Sequence, residues 1–233
     1  MNNESIVKPP PYKGFSKNRV VCVPADTPSR FIFKSIQKQI RRKQTKPFGQ
    51  VFQLNDKIIL YQCVGSPTTV MALERLIASG AREILFLGFC GSLSLHTKTL
   101  DAVSITKAYS QEGTSKHYFP QKKIFYPSLK MREKIENTLK DLHLPFKHGA
   151  IVSTDAPFRE TKTWLRDNQR RHIGCVDMET SAVFALASFY GLRAAALMLV
   201  SDELCRQEHK IDFHQPKTET CMKHYFLPFL LEA

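Results

Sequence analysis

The sequence has no apolar run close to the roughly 20 residues that a bilayer-crossing helix requires. Residues 1 to 11 also lack the continuous apolar core of a secretory signal peptide. No internal repeat or low-complexity block interrupts the chain. We therefore expect a soluble cytoplasmic protein with no membrane partner, whose 233 residues are enough for one α/β domain with a sizeable core.

The six cysteines show none of the spacings that mark a metal or redox site. No CxxC pair occurs, and no group of cysteines and histidines has the separation of a metal-binding motif. Several of the cysteines lie in apolar, strand-like runs, which is typical of reduced packing residues. The sequence therefore predicts neither a metal nor a prosthetic group.

Acidic residues are scarce relative to basic ones. The chain has 34 Lys and Arg against 21 Asp and Glu, a formal net charge of +13. Such a charge suits nucleic acid, a membrane surface or small anions such as phosphate. The basic residues form no single stripe, and no helix-turn-helix, zinc or RNA-recognition signature accompanies them. A solvated basic surface is the preferred interpretation, and nucleic-acid binding is the weaker alternative.

The chain is predicted to consist of an extended arm, residues 1 to 18, followed by one domain over residues 19 to 233. Three successive prolines, Pro9 to Pro11, favour an extended arm, either crossing to a partner subunit or loose. Residues 19 to 24 read RVVCVP and predict a buried strand. Apolar residues at helical spacing predict a helix from about residue 28 to 43.

Turn signals and apolar runs predict the remaining elements. Asn55 and Asp56 separate two strand-like runs and suggest a hairpin. Ser66 and Pro67 are expected to cap and open a helix that Gly80 closes. Further strands are predicted at 83–89, 102–109, 148–153 and 192–200, and helices at 128–143, 178–190 and 216–231. This order favours a mixed sheet with helices on both faces.

Four short stretches, taken in order, resemble the nucleoside phosphorylase and nucleosidase superfamily. They are VGSP (64–67) opening a helix, LGFCGSL (87–93) after a strand, VDMETSA (176–182) starting a helix and VSD (200–202) ending a strand. The stretches EGTSKHY (112–118) and STDAPFRET (153–161) look like a bacterial and archaeal branch known as nucleoside or uridine phosphorylases. The resemblance implies a single-domain, three-layer α/β/α fold with a mixed, partly barrel-like sheet.

Within this resemblance, Glu179 matches the carboxylate that grips the ribose 2′ and 3′ hydroxyls. A carboxylate there also stabilises the oxocarbenium character of the ribose during cleavage of its bond to the base. Met178 matches a residue whose thioether packs beside the sugar. Asp177 of the same triplet and Gly91 of the glycine loop are expected among the substrate-binding residues. A helix start with acidic residues favoured by its dipole is the alternative for Glu179.

Asp202 matches the acid that hydrogen-bonds or protonates the departing base in purine-acting members. Ser201 is expected to orient Asp202, and the alternative is an ordinary helix cap after a strand. The 153–161 stretch offers Phe158 to stack on the base and Arg159 beside it. A glutamine of the kind that reads pyrimidines is not obvious there, so the resemblance favours a purine or purine-like base.

Phosphate binding is where the resemblance weakens. Arg30 lies in a loop similar to the family's phosphate loop, although Ala25 replaces a glycine and the spacing is one residue longer. Gly88 belongs to the expected phosphate-binding strand end. Two positions near it that usually carry an arginine and a hydroxyl residue hold Phe86 and Phe89 instead.

Two interpretations of the weakened phosphate site remain open. In the first, inorganic phosphate acts as cosubstrate, and Arg30, helped by Arg41 or Arg42 of a neighbouring subunit or by Arg159 and His117, rebuilds the site. In the second, water replaces phosphate, although no glutamate near the first strand is present to activate it. We favour phosphorolysis; a pseudoenzyme is a third possibility. His117 is alternatively a plain polar surface residue.

The family's members assemble as dimers, trimers or hexamers and often complete each site with residues from a neighbour. The resemblance therefore implies a homo-oligomer, with the proline-rich arm and residues 41 to 43 as candidates for that contact. The implied partners are a small nucleoside and inorganic phosphate, with no cofactor or metal.

Overall fold

A computed structural model describes residues 5–15, 17–23, 34–46, 49–54, 57–205 and 216–231. The strands within these ranges are β1 (Arg19–Val23), β2 (Arg42–Lys46), β3 (Gly49–Leu54), β4 (Lys57–Tyr61), β5 (Glu83–Ser92), β6 (Ala102–Ser110), β7 (Ile124–Phe125), β8 (Lys147–Ser153), β9 (Cys175–Asp177) and β10 (Arg193–Glu203). The helices are α1 (Ser66–Ala78), α2 (Ser115–Tyr118), α3 (Leu129–Asp141), α4 (Lys162–Arg170), α5 (Thr180–Phe189) and α6 (Pro216–Leu231). None of these helices is long and apolar enough to cross a membrane.

One mixed sheet forms the centre of the molecule, in the order β10-β6-β8-β9-β5-β1-β4-β3-β2. An additional pairing of β10 with β5 closes five strands, β5, β6, β8, β9 and β10, into a barrel. β5 is parallel to β1 and β10 and antiparallel to β9. The mixed, partly barrel-like sheet expected from the sequence is confirmed.

Helices cover the sheet on two sides, which accounts for its continuous apolar strands. On one side, α1 and α5 pack against a core that includes Leu73, Phe86 and Met198. On the other side, α3 and α6 pack against a second core that includes Leu87 and Leu197. Successive residues of β5 and β10 point alternately into the two cores. The sequences of both strands are therefore apolar at nearly every position.

Helix α1 begins and ends near the residues that its sequence suggested, but its cap differs. Pro67 lies in the first turn, and Gly80 follows the helix with a φ of 106°. The predicted cap by Ser66 is wrong, because Ser66 is already helical and Gly65 occupies the cap position. The Ser66 hydroxyl instead donates to the carbonyl oxygen of Met178 at 2.6 Å. A hydroxyl so placed joins α1 to the start of α5.

The sequence-based prediction of secondary structure is most clearly wrong at the end of the helix predicted over residues 28 to 43. Residues 24 to 33 lie outside the described part of the chain, and helical structure in the remainder ends with a 3-10 turn at Gln37–Gln39. Residues Arg42–Lys46 form β2, which pairs antiparallel with β3. Pairing with β3 provides backbone hydrogen bonds that an isolated basic helix end would not gain, so tertiary contact overrides the local pattern.

The segment before β1 packs against α1 of the same chain. Tyr12 and Phe15 are both buried in the core on the α1 side of the sheet. The Tyr12 backbone N–H donates to the Ser79 hydroxyl at 2.8 Å, and the Arg75 guanidinium lies 4.2 Å from the centre of the Tyr12 ring. Arg75 Nε also donates to the carbonyl oxygen of Pro10. Residues 10 to 15 are therefore anchored to the body of their own chain.

Candidate functional site

The ends of three strands and the beginning of α1 meet in one place. Gly91 near the end of β5 pairs with Val176 of β9 on one side and with Asp202 of β10 on the other. Two residues after β9, Glu179 reaches the residue that precedes α1, Gly65. The sequence-predicted residues of the glycine strand, the Asp-Met-Glu triplet and the Ser-Asp pair are thus brought together.

Glu179 is buried at the amino end of α5. Its Oε1 accepts a hydrogen bond from the Gly65 backbone N–H at 2.6 Å, and its exposed fraction is 6%. Gly65 has a φ of 85°, in the left-handed region where a side chain is strained, so glycine suits this position. The neighbouring Met178 is half-buried.

The environment of Glu179 disfavours its charge. Burial, and after it the negative charge of Asp177, raise the pKa of Glu179 to about 8, against the backbone N–H groups of Gly65 and Met178, which lower it. The buried thiols of Cys22 and Cys63 also lie close enough for the charge of Glu179 to raise their pKa values further, after burial has raised them. A carboxyl group with such a pKa is well matched to a ligand that donates hydrogen bonds or carries positive charge.

The Asp177 side chain is buried and accepts hydrogen bonds from other residues of its own chain. Its Oδ1 accepts from the Ser153 hydroxyl at 2.6 Å, and its Oδ2 accepts from the backbone N–H and the hydroxyl of Thr180. Burial raises the pKa of Asp177, in spite of these donors. The structure therefore places Asp177 as a cap of α5 that orients Glu179. A direct contact with substrate, as the sequence suggested, would require Asp177 to give up these bonds.

Asp202 is half-exposed and is held by its neighbour. The Ser201 hydroxyl donates to Asp202 Oδ1 at 2.6 Å, with the Cys90 carbonyl oxygen at 3.2 Å as a second acceptor. Ser201 itself is buried in β10. The position of Ser201 therefore agrees with the orienting role expected from the sequence. Asp202 lies in β10 and caps none of the described helices.

The glycine strand is lined by apolar side chains where the sequence suggested a phosphate site. A Cβ at Gly88 would lie 2.9 Å from Met198 Cε and 3.1 Å from Phe86 Cε1. Phe86 is fully buried on the α1 side of the sheet. Phe89 lies on the other side, with its ring centre 6.0 Å from that of Phe226. Neither phenylalanine offers a donor to an anion.

The two arginines expected to bind phosphate do not join this group within the described chain. Arg30 lies outside the described residues. Arg42 is exposed on β2, and the strand registers align it with Gln53, Ile58 and Ile84, at the amino end of β5. Arg42 is therefore at the opposite end of the sheet from Gly91 and contacts Phe15 instead. A role for Arg42 in phosphate binding requires a second copy of the chain and stays a prediction.

The other predicted ligand contacts are spread over two loops. His117, although exposed, lines an open cavity of about 450 Å³ between residues 113–118 and the first turns of α1. Phe158 is completely exposed, and Arg159 beside it is exposed as well. The structure does not bring Phe158 to the group around Glu179, so base stacking by this ring stays a prediction.

Several buried polar residues of the site were missed by sequence reasoning. Ser153 and Thr180 hold Asp177, and Glu112 accepts hydrogen bonds from the Ser181 and Ser110 hydroxyls. These residues lie inside or next to the stretches that carried the family resemblance. Their partners are far apart in sequence, however, and no local pattern shows the pairing. Among the described residues, no cluster of three or more His, Cys, Asp or Glu is placed to hold a metal ion.

Comparison of this chain with known proteins identifies the family to which it belongs. The family model described as the phosphorylase superfamily matches residues 48–224, which include all of the strand ends and helix starts just described. The chain belongs to the phosphorylase superfamily. A guanosine phosphorylase from Halorubrum lacusprofundi is similar to it, with 31% identity over 177 residues that cover 73% of this chain and 70% of that protein.

Solved structures of the superfamily share the fold. A purine nucleoside phosphorylase from Toxoplasma gondii, in complex with immucillin-H, superposes with a TM-score of 0.80 at 19% identity, covering 97% of this chain and 94% of that one. A 5′-methylthioadenosine/S-adenosylhomocysteine nucleosidase from Helicobacter pylori superposes with a TM-score of 0.77 at 16% identity, covering 94% and 100%. One of these enzymes is a phosphorylase and the other a nucleosidase, so the common fold does not distinguish the two reactions.

Proposed function

We propose that this superfamily member is a nucleoside phosphorylase that cleaves the N-glycosidic bond of a purine nucleoside with inorganic phosphate, giving free base and pentose 1-phosphate. The observation that carries the proposal is the convergence of two carboxyl groups in separate settings. Glu179 is buried and held by Gly65, whereas Asp202 is half-exposed and held by Ser201. The similarity to a guanosine phosphorylase supports the same reaction and a purine base.

In this proposal the two carboxyl groups act at opposite ends of the bond that breaks. Donation from the ribose hydroxyls favours the ionised form of Glu179, whose carboxylate then stabilises the positive charge that develops on the sugar. Asp202, oriented by Ser201, hydrogen-bonds the base as it departs and so improves it as a leaving group. Met178 packs beside the sugar, and phosphate approaches from the glycine strand, with Arg30 as its basic partner. A homo-oligomer and a role in purine salvage are part of the same proposal.

Hydrolysis is the second candidate, and the apolar lining of the glycine strand is the observation that favours it. Phe86 is fully buried beside Gly88, and residues 86 to 93 contain no basic side chain. A phosphate dianion would find few charged partners there, whereas water needs none. The nucleosidase of similar fold shows that this architecture accommodates hydrolysis.

Release of base from a panel of purine and pyrimidine nucleosides, followed by chromatography with and without inorganic phosphate, distinguishes the candidates. We expect release that depends on phosphate and gives pentose 1-phosphate. Release of free pentose without phosphate would establish hydrolysis instead. No release from any nucleoside would overturn both reactions and favour a catalytically inactive nucleotide-binding or nucleic-acid-binding member of the fold.

An Asp202→Asn variant tests the role of Asp202 in the same assay. We expect a loss of about 100-fold or more in kcat with a purine nucleoside, and a much smaller loss with a substrate whose leaving group is already activated. The activated substrate is the control, because it needs no help from Asp202 to depart. Equal losses on both substrates would show that Asp202 is structural.

A further inference from the structure

Glu112 is a buried carboxylate that the proposed reaction does not use. Its exposed fraction is 6%, and four donors point at its two oxygens. Oε1 accepts from the Ser110 hydroxyl at 2.7 Å and from the Ser181 hydroxyl at 2.9 Å. Oε2 accepts from the backbone N–H of Ser115 at 2.9 Å and from that of Thr114.

These bonds connect the loop of residues 113 to 118, which includes the short helix α2, with the helix α5 that follows Glu179. Thr114 and Ser115 belong to the loop, and Ser181 lies in the first turn of α5. The Ser181 backbone N–H in turn donates to the Ser153 hydroxyl, which donates to Asp177. Hydrogen bonds therefore connect Glu112, through Ser181 and Ser153, to Asp177 at the amino end of α5.

The 113–118 loop forms one wall of the open cavity of about 450 Å³ beside the site, and the first turns of α1 form the other wall. α1 begins directly after Gly65, whose N–H holds Glu179. The width of this cavity therefore depends on where the loop is held relative to α1 and α5. Glu112 connects the start of this loop to the amino end of α5, whereas the Tyr118 ring packs on Phe189 at the other end of α5.

The carboxylate form of Glu112 is the one that fits its surroundings. Burial raises its pKa, but the hydrogen bonds donated by Ser115, Ser110 and Ser181 outweigh burial and leave the pKa below its ordinary value. An amide at this position keeps the two backbone donors only with its oxygen toward Thr114 and Ser115, and its NH₂ group then faces the Ser110 and Ser181 hydroxyls, which must turn from donors into acceptors. The charge is lost in either orientation, so the bonds from Thr114 and Ser115 become the weaker bonds of a neutral acceptor.

We propose that Glu112 is a positioning residue of the nucleoside pocket: its ionised carboxylate fastens the 113–118 loop to the amino end of α5 and so sets the distance between that loop and the ribose-binding Glu179. The proposal rests on the proposed function as far as substrate is concerned. Its structural part, the fastening of the loop, can be measured without any substrate.

The substrate test is the Glu112→Gln variant, compared with Glu136→Gln as a matched control. Glu136 is also a buried carboxylate, with 8% exposure, and it accepts from the Ser104 hydroxyl at 2.8 Å and from His148. It lies on α3, on the other side of the sheet from α1 and α5. We expect Glu112→Gln to raise KM for the nucleoside about tenfold or more with a smaller change in kcat, and Glu136→Gln to leave both within about twofold.

A Ser181→Ala variant removes the other partner of the hydrogen bond between Ser181 and Glu112. It also tests the proposal if Glu112→Gln fails to fold. It removes one donor and leaves the carboxylate ionised, so we expect a smaller rise in KM, about threefold. In the double variant the two effects should not add, because both act through one contact. A KM within twofold of wild type in a folded Glu112→Gln, or fully additive effects, would overturn the proposal.

Amide hydrogen exchange at Thr114 and Ser115 tests the fastening independently of activity. Both amides donate to Glu112, so we expect them to exchange at least about tenfold faster in Glu112→Gln than in wild type, and unchanged in Glu136→Gln. Unchanged exchange in Glu112→Gln would overturn the proposal even if the enzyme turns over nucleosides. Faster exchange together with no turnover in wild type would instead refute the proposed function and leave the positioning of the loop established.

Discussion

At the scale of single residues, Glu179 shows how burial and neighbouring charge give an ordinary carboxyl group unusual properties. Its pKa of about 8 means that the folded chain binds a proton at Glu179 more tightly than the unfolded chain does. A carboxyl group whose pKa is raised by folding therefore destabilises the folded state at high pH, where the group must ionise. The folded state loses stability as pH rises from the ordinary glutamate value of about 4.3 towards 8.

We therefore predict that Glu179→Gln changes the pH dependence of stability as well as activity. The variant cannot ionise at this position, so the difference between its unfolding free energy and that of wild type should move in favour of the variant between pH 5 and pH 8, by roughly 3 to 4 kcal/mol. Urea denaturation of the ligand-free proteins at several pH values measures this difference. At each pH in this range, turnover by the variant should be about 100-fold or more below that of wild type.

Two results would contradict this assignment of Glu179. A stability difference that stays constant from pH 5 to pH 8 would mean that Glu179 ionises normally in the folded protein. An unchanged turnover rate would remove Glu179 from the ribose site. Glu136→Gln, on the far side of the sheet, is the control for activity.

The site residues that sequence reasoning found are those that stand together in the chain. Glu179 and Met178 are adjacent, as are Ser201 and Asp202, and each pair sits at a strand end or helix start that a local pattern reveals. Glu112 was not assigned a role, because its partner Ser181 lies 69 residues away. Nothing in the triplet around Asp177 shows that Ser153 and Thr180 donate to its two oxygens, and its contact with substrate stays a prediction.

At the scale of secondary-structure elements, the predictions that succeeded rest on long apolar patterns with clear ends. β5 and β10 are apolar nearly throughout because both of their faces are covered, and α1 is bounded by Pro67 and Gly80. The prediction failed at Arg42, where a basic stretch becomes a strand. That strand exists because β3 offers a free edge, and an edge partner cannot be read from a local pattern.

The junction of β5, β9 and β10 yields a prediction at this scale. A Cβ at Gly91 would lie 2.5 Å from Leu204 Cδ1 and 3.1 Å from Asp202 Oδ2. We expect Gly91→Ala to reduce the unfolding free energy by about 1 to 3 kcal/mol and to lower turnover, because the added methyl displaces Leu204 and shifts the Asp202 carboxylate. Thermal unfolding and the base-release assay measure the two effects.

Gly174→Ala is the matched control for this prediction. A Cβ at Gly174 would meet nothing within 4 Å, and the residue lies directly before β9, in the same neighbourhood. This variant should be close to wild type in both stability and turnover. If Gly91→Ala behaves like Gly174→Ala, the close packing at the junction is not what positions Asp202.

At the scale of the whole molecule, the net charge of +13 does not identify the function. The site is built from carboxyl groups and apolar side chains, and Arg42, one of the clustered basic residues, lies at the opposite end of the sheet. The proposed reaction depends instead on a few groups at the other end of the strands, away from Arg42. The fold provides that arrangement by closing five strands into a barrel whose ends gather distant segments.

The amino-terminal segment shows how a stretch outside the sheet contributes to the same body. Tyr12 has an exposed fraction of 1%, packs under Arg75 of α1, and its hydroxyl has no hydrogen-bond partner among the described residues. Tyr12→Ala should reduce the unfolding free energy by about 3 kcal/mol, since it removes a buried ring that packs against α1. Tyr12→Phe keeps the ring and removes only the hydroxyl, so it should leave stability unchanged or raise it by up to about 1 kcal/mol.

Urea denaturation of the two Tyr12 variants and wild type decides between an integral and a peripheral segment. A large loss in Tyr12→Ala together with none in Tyr12→Phe would show that the ring anchors residues 10 to 15 to α1 of the same chain. Stability close to wild type in Tyr12→Ala would show that the segment contributes little to the fold. In that case, these residues would be free to reach a neighbouring subunit, as the proline-rich sequence first suggested.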